Sequence, residues 1–489
     1  MFLCVVGVIL GLVIGAYFYN NPLRHSRWFM IRRFLNWFPL GMTYSFLYMG
    51  RYNLNVAKNA FGPLMTKEDF GIIFGVGTVV YALSFLVNGP LVDRIGGKKG
   101  ILISALGSAG ANLLLGIMTY FVTALHVRMN IVLVFSAIYA LNMYFQSYGA
   151  VSIIKVKAYW FHVRERGVFG AIFGTLISFG IYFAFDWGQG IADLAAAAPG
   201  AGWLHLWVRR IFAPRGGSVD ATWAVFFIPA AILLFWTVLD VWLIKDTPEE
   251  AGFAAFDTCD ASSGLMNINF TAWELLKKVF TSPLMLMLAA VNLTSGIYRN
   301  GVTQWYFIFA DEVKQPGAEF FLAHWGFLIC VFGIVGGFSG GLISDKVFQS
   351  RRGPPAAMLS MLVVVLTLVM AAAISRSPFL IGAAGLLIVM AAVGVTSLMA
   401  ATAATDFGGR KATATSSGIV DGAAYLGSAI QSFSLGYITT WSWHWWPLFL
   451  TPFALAGFLL ALKIWYRLPA ATQRYIDEVE LKEPVRIAA

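Results

Sequence analysis

The sequence predicts an all-α membrane protein: twelve spanning helices in two six-helix halves, preceded by one extra N-terminal hydrophobic helix. Three observations lead there. The 489 residues are 59% hydrophobic and only 12% charged, with a mean hydropathy of +0.73, whereas soluble domains carry about 25% charged residues. Apolar runs recur at the roughly 20-residue length that a helix needs to cross the hydrocarbon core. Short motifs of the first half return in the second at nearly constant spacing.

Taken in order, residues 1–24 open with MFLCVVGVILGLVIGAYFYN, which has neither a basic leader nor a small-residue cleavage site, so it reads as a membrane helix rather than a cleaved signal. An interfacial anchor is the alternative. Spans near 29–60, 69–90, 99–124, 130–158, 166–193 and 222–245 build an N-terminal half, 25–245. A polar cytoplasmic linker, 246–280, leads to spans near 283–310, 320–344, 355–375, 378–402, 411–440 and 444–467 of a C-terminal half, 281–470, and then to a cytoplasmic tail, 471–489. The 49 glycines suit helices that pack closely in lipid, and no run alternates as the strands of an outer-membrane barrel do.

The net charge of +10 is explained by where the charges sit. Arg94, Lys98, Lys99, Arg164, Arg166, Lys277, Lys278, Lys346, Arg351, Arg352, Arg410 and Lys411 fall in alternate short connections, which the positive-inside rule turns toward the cytoplasm. The lipid bilayer is therefore the partner this charge implies, and nucleic acid is not. The connection 194–221 departs from the rule with Arg209, Arg210 and Arg215, and its WLHLWVRRIF core reads as an interfacial amphipathic helix or a solvated insertion. Cys4, Cys259 and Cys330 have no metal or redox spacing, and the six histidines are dispersed without HExxH order. No nucleotide-binding motif is present, so neither an enzyme, a metal site nor a cofactor is expected. The TTWSWHWWP cluster reads as an interfacial aromatic belt.

Two internal correspondences define the repeat. GPLVDRIGGKK and GGLISDKVFQSRR each place an Asp four positions after a Gly (Gly89 and Asp93, Gly341 and Asp345), and the two Asp are 252 positions apart (345 − 93). The arginines inside apolar sequence, Arg51 and Arg299, are 248 apart (299 − 51). An arginine at mid-span costs about 2.5–3.5 kcal/mol on insertion scales, so two at equivalent positions call for a function. On the first and seventh spans they converge near the midplane, where their planar forks suit a shared phosphate better than lysines would. Tyr44, Tyr48 and Arg51 share one helix face, and Asn292, Ser295 and Arg299 form a similar stripe. The competing reading pairs each arginine with an intramembrane carboxylate, Asp186, Asp240, Asp311 or Asp421.

The paired Gly-to-Asp-to-basic loops resemble those of the major facilitator superfamily, in which the loop latches helices together; the resemblance puts that role on Gly89, Asp93, Arg94 and Lys98, with a degenerate copy at Asp345. The strings YSFLYMGRYN, DTPEEAGF, IYRNGVTQWY and TSSGIVDGAAYLG further resemble the organophosphate:phosphate antiporter family of glycerol-3-phosphate and sugar-phosphate transporters and related sensors. That resemblance implies a monomeric, multi-pass carrier of the bacterial inner membrane that exchanges a phosphorylated organic anion for inorganic phosphate by rocker-switch motion. It puts phosphate binding on Arg51 and Arg299, and cavity lining on Tyr44, Tyr48, Tyr81, Lys155, Tyr159, Tyr425 and Asp421. This chain departs from the glycerol-3-phosphate carriers at Tyr52 and Phe85, where they have lysines, and at Tyr159, where they have a histidine. Lys155 stands where the family has an arginine, and Asp421, where some members have a small residue, is open to three readings: pairing with a cavity cation, accepting a proton, or a structural ion pair. The identity of the substrate therefore does not carry over. A membrane sensor of phosphate esters with the same fold, or a proton-coupled carrier of another organic anion, are the alternative functions.

Overall fold

The computed structural model describes residues 2–19, 21, 23–162, 165–193, 222–254, 277, 280–348, 351–407 and 413–466. The first half comprises α2 (Arg27–Phe61), α3 (Lys67–Ile95), α4 (Gly97–Thr123), α5 (Ile131–Trp160), a fifth span made of α6 (Arg166–Tyr182), a π-helical turn (Phe183–Trp187) and α7 (Gly188–Asp193), and α8 (Ala224–Leu243). The second comprises a seventh span of α9 (Pro283–Thr303) and α10 (Trp305–Val313), then α11 (Ala318–Val347), α12 (Gly353–Ala373), α13 (Pro378–Phe407), α14 (Thr413–Trp441) and α15 (Trp445–Lys463). Helix α1 (Phe2–Tyr19) precedes them. The stretches 194–221 and 255–276, the tail beyond 466, Arg164, Lys278, Arg410, Lys411 and Cys259 lie outside the described residues.

Among the described residues, eight helices are long and apolar enough to cross a membrane on composition alone. The other four spans are α2, α9 and α14, which carry Arg51, Arg299 and Asp421, and the segmented fifth span. The spans that fail as lipid-soluble cylinders are thus largely those that hold the site.

Two helix pairs join the halves, and they are mirror choices: α3 packs on α14, the second span on the eleventh, and α6 packs on α11, the fifth on the eighth. Glycine makes the first contact close. A Cβ at Gly71 would stand 2.5 Å from the Ser432 carbonyl oxygen and 2.9 Å from the Gly436 Cα, so α3 and α14 touch backbone to backbone. The position of the two-fold axis follows from two hydrogen bonds. Tyr52 donates to Asn300 Oδ1 (2.9 Å) and Asn59 Nδ2 to the Phe307 carbonyl (3.4 Å), each pair separated by 248 positions. Residues that bond to their own repeat counterparts flank the pseudo-symmetry axis.

Further polar links between the halves gather at the end of the bundle that the charge bias makes the outer one. Lys67 Nζ meets Glu312 at 3.0 Å and donates to the Thr439 carbonyl, and Thr440 donates to Glu68. Helix α11 breaks at His324 (φ −130°, ψ 16°), which frees backbone N–H groups of the following turn. Asp186, on the π turn of the opposite half, accepts from the N–H of Gly326 (2.9 Å) and Phe327 (3.1 Å). A carboxylate thus caps a helix start across the domain boundary. At the cytoplasmic end, the hydrogen bonds and ion pairs among described residues stay within one half: Lys155 with Asp93 (3.1 Å), Lys98 N–H with Asp246, Asn36 with Lys245, and Arg352 with Ser344. Among the described residues, the polar links between the halves at the bundle ends thus lie at the Lys67–Glu312 end.

Helix α1 is tied down near the cytoplasmic surface. The Tyr17 hydroxyl donates to the Met30 carbonyl and accepts from Arg33 Nε. Arg33 is buried, forms two 2.8 Å hydrogen bonds to Glu165, and lies 4.6 Å from the Phe161 ring. Burial alone would raise the Glu165 carboxyl, but hydrogen bonds from His25 and Arg33 and the Arg33 charge bring it from an ordinary 4.5 to about 2. A carboxylate with a depressed pKa contributes stability that is present above its unfolded value near 4.5 and lost as pH falls toward 2.

Two expectations follow for the purified protein. Glu165→Gln leaves Arg33 buried beside a neutral partner and should cost up to about 3–5 kcal/mol, read as a lower melting temperature in detergent; replacing both by Met and Leu should cost less. Asp186→Ala removes a cap worth about 0.5–2 kcal/mol, so a cysteine placed at Tyr52 should react severalfold faster with an outside-only maleimide.

Candidate functional site

Arg51 is fully buried on α2, and its guanidinium is held by both halves. Nε donates to Gln146 Oε1 at 2.9 Å and Nη1 donates to the Tyr425 hydroxyl of α14. The rings of Tyr48 (4.5 Å), Tyr81 (4.4 Å) and Tyr425 (5.2 Å) enclose it, a cation–π arrangement that replaces part of the lost hydration. Nη2 is buried without a partner. A buried charged donor left open costs free energy, and that is how an anion site looks from the protein's side.

Behind Arg51 lies a polar network that pattern reading of the sequence passed over. Gln146 Nε2 donates to Asn142 Oδ1 (3.1 Å) and Ser108 Oγ (3.2 Å). Asn142 Nδ2 donates to the Gly50 carbonyl (2.9 Å), and the Tyr139 hydroxyl to the carbonyl of Arg51 itself (2.9 Å). Asn53 joins through Asn112. All are essentially unexposed, so side chain and backbone of Arg51 are oriented from α4 and α5. The signal was present: Ser108 with Asn112 and Asn142 with Gln146 are i, i+4 polar pairs in otherwise apolar spans.

Arg299 is different. It is partly accessible on α9, and among the described residues neither a hydrogen bond nor an ion pair occupies it. Tyr48, Tyr52 and Tyr425 lie within electrostatic range of both guanidinium groups, and Asp421 within range of Arg299. The two arginines therefore share one aromatic enclosure, each a single residue before the axis pair Tyr52–Asn300. Helix α9 is pressed on α14 at Gly296, where a Cβ would fall on the Ala424 carbonyl. Asn292 and Ser295 serve that packing, bonded to the carbonyls of Val420 (2.8 Å) and Ala392 (3.2 Å), and do not extend a stripe toward Arg299.

The alternative of carboxylate pairing does not describe Arg51, whose hydrogen-bond partners are Gln146 and Tyr425. Asp186 caps α11, Asp240 accepts from Thr43 (2.6 Å), and Asp311 sits in the last turn of α10 at the outer end. Tyr44 packs edge-on against Tyr48 (5.3 Å), at the cytoplasmic side of the enclosure. Lys155 and Tyr159 are elsewhere: Lys155 is paired with Asp93 near the cytoplasmic surface, 5.8 Å from the exposed Tyr159 ring. The structure thus groups Lys155 with the loop motif rather than with Arg51. Within that motif Gly89 is buried and Arg94 exposed. Gly96 turns the chain at φ 92°, where an added Cβ would strike Asp246. Asp246 of the DTPEE element accepts from the Lys98 N–H (2.7 Å) at the start of α4, and Lys98 Nζ reaches the Val241 carbonyl (2.6 Å). The side chain of Asp345 lies outside the described residues.

Twelve spans in two related halves, with cations buried where the halves meet, define a membrane transporter fold. The family model described as Major Facilitator Superfamily matches residues 33–432, and the chain belongs to that superfamily. It is similar to the glycerol-3-phosphate transporter of Bacillus subtilis strain 168 (25% identity, covering 76% of this chain and 78% of the relative). It is also similar to the membrane sensor protein UhpC of Salmonella typhimurium (24%, 87% and 90%) and to a probable hexose phosphate transport protein of Chlamydia pneumoniae (23%, 82% and 83%). Among solved structures it shares the fold of a bacterial homologue of the lysosomal transporter Spinster in an inward-facing, unoccupied conformation (TM-score 0.61, 14% identity, 91% of this chain and 100% of that one). The transporter FucP in its outward conformation matches with a TM-score of 0.57 (16%, 87% and 97%).

The network makes its own prediction. Gln146→Leu strands Nε and should cost about 1.5–3 kcal/mol, whereas Gln146→Glu supplies a counter-charge. The Glu variant should stay folded and lose most of the melting-temperature rise that wild type shows with millimolar phosphate.

Proposed function

We propose that this protein is a secondary carrier of the bacterial inner membrane that exchanges a phosphorylated organic anion for inorganic phosphate, acting as a monomer. The observation that carries the reading is the open Nη2 of a fully buried Arg51, with Arg299 in the same aromatic enclosure and in no ion-pair contact among the described residues. Two guanidinium groups in one low-dielectric enclosure repel unless an anion joins them, and their planar donors match phosphate oxygens. The names of the relatives, transporters of glycerol-3-phosphate and hexose phosphate, support phosphate as the shared moiety.

Alternating access gives the bond from Arg51 to Tyr425 a purpose, since it crosses between the halves 25–245 and 281–470. A phosphate oxygen arriving between the arginines competes with the Tyr425 hydroxyl for Arg51. Occupancy then loosens one inter-half contact and adds another, and the halves rock about the axis marked by Tyr52 and Asn300. The exchanged gradients supply the energy. A second reading, a sensor, is favoured by the similarity to UhpC over most of the chain.

Reconstituted protein loaded with phosphate should take up labelled phosphate by counterflow. Arg51→Lys and Arg299→Lys should each lower that flux at least 100-fold while melting within a few degrees of wild type. Normal flux in both variants overturns the clamp; phosphate binding without counterflow in wild type makes the protein a sensor.

A further inference from the structure

Asp421 is the one site residue whose chemistry the phosphate clamp does not use. It sits in a spanning helix, is partly accessible, and among the described residues no hydrogen bond or ion pair reaches its carboxylate. Asp186 and Asp240, by contrast, are hydrogen-bonded. An intramembrane carboxylate needs a partner, and this one has Arg299 within electrostatic range without an ion-pair contact.

Its position is set by α14. Asp421 lies one turn before Tyr425, on the same face as the hydroxyl that receives Arg51 and about 6 Å along the axis from it. Phe85 runs beside that turn: added Cβ atoms would meet its ring at 3.3 Å from Gly418 and 3.6 Å from Gly422. Tyr81 joins the Phe85 ring (4.8 Å) to the Tyr425 ring (4.2 Å). Asp421 is thus on the turn of α14 that Phe85 covers and within electrostatic range of Tyr81, whose ring Arg51 also faces, and a carboxylate near an aromatic ring is a surrounding that binds an organic ammonium.

The charge balance points the same way. Two guanidinium groups and one carboxylate leave the site at net +1, and Lys155 adds nothing because Asp93 holds it. A doubly ionised phosphate ester would leave one negative charge unmatched in a medium where that is costly. An ester that also carries an ammonium, net −1, leaves none. Singly ionised inorganic phosphate leaves none either, so exchange of the two would move no net charge.

Resting on the phosphate-carrier reading above, we propose that the organic substrate is a phosphorylated amine, a short alkyl phosphate or phosphonate bearing an ammonium group, whose phosphate lies between Arg51 and Arg299 and whose ammonium lies against Asp421. Asp421 is then the specificity-determining residue of the cavity.

The test compares two probes of nearly equal shape, O-phosphoethanolamine and n-propyl phosphate, as competitors of labelled phosphate exchange in proteoliposomes, with binding followed in parallel by thermal shift. Wild type should be inhibited at least tenfold more strongly by O-phosphoethanolamine. Asp421→Asn should erase that preference and Asp421→Glu should keep it, both judged as ratios so that a general loss of flux does not enter. The inference is overturned if wild type shows no preference, or if the Asn variant keeps it. It is equally overturned if the Asn substitution changes only the pH profile of exchange, which makes Asp421 a proton site. Failure of wild type to bind or exchange inorganic phosphate at all strikes the underlying carrier reading instead.

Discussion

The structure depends on how the interior of a membrane protein keeps a guanidinium charged. An arginine at mid-span is opposed by about 2.5–3.5 kcal/mol of insertion free energy, and Arg51 meets that cost with one acceptor from its own half, one hydroxyl from the other, and three aromatic rings. Gln146, in turn, needs Asn142 and Ser108, and Asn142 needs the Gly50 carbonyl. The chain of donors and acceptors closes at these links, leaving open Nη2 of Arg51 and, at the edge of the network, Oδ1 of Asn53. A network this nearly satisfied fixes the charge in one place, and Nη2 is its open charged donor.

Duplication explains why that place is at the centre. Residues bonded to their own counterparts 248 positions away must lie beside the two-fold axis, and Tyr52–Asn300 and Asn59–Phe307 do so. The two inter-half helix pairs exchange roles under the same operation. The symmetry is of backbone, not of charge: Arg51 is caged and Arg299 is open. One arginine is thus prepositioned by its partners while the other is held by none of the described hydrogen bonds or ion pairs.

Much of this was legible in the sequence, for a physical reason. Lipid tolerates only helices whose backbone is internally bonded, so apolar runs had to be helices, and spans read at 69–90 or 444–467 are observed at Lys67–Ile95 and Trp445–Lys463. The buried arginines stood out because the bilayer makes any charge conspicuous. What the sequence hid was register between helices. Lys155 sits near polar site residues in the chain, yet the crossing of α3 and α5 delivers it to Asp93. Asn292 and Ser295 share spacing with Arg299, but α14 and α13 claim them as packing partners. The break at His324 has neither proline nor glycine at that position to announce it; it depends on Asp186, 138 positions earlier (324 − 186), capping the freed N–H groups from the other half.

That last contact shows how the fold limits its own stability at the outer end. The links that fasten the halves there are one exposed ion pair, single hydrogen bonds and a carboxylate on a helix start, each worth about 0.3–2 kcal/mol. None resembles the buried, bidentate Arg33–Glu165 pair that secures α1 and the cytoplasmic end of the first half. The described polar links between the halves at that end are weak and replaceable, whereas the broad close packing between the halves runs along α3 and α14. A ligand that rearranges a single charged hydrogen bond at Arg51, worth about 1.5–3 kcal/mol, acts on the same scale as the outer links. The hydrogen bond from Arg51 to Tyr425 and the outer links are therefore of similar energy.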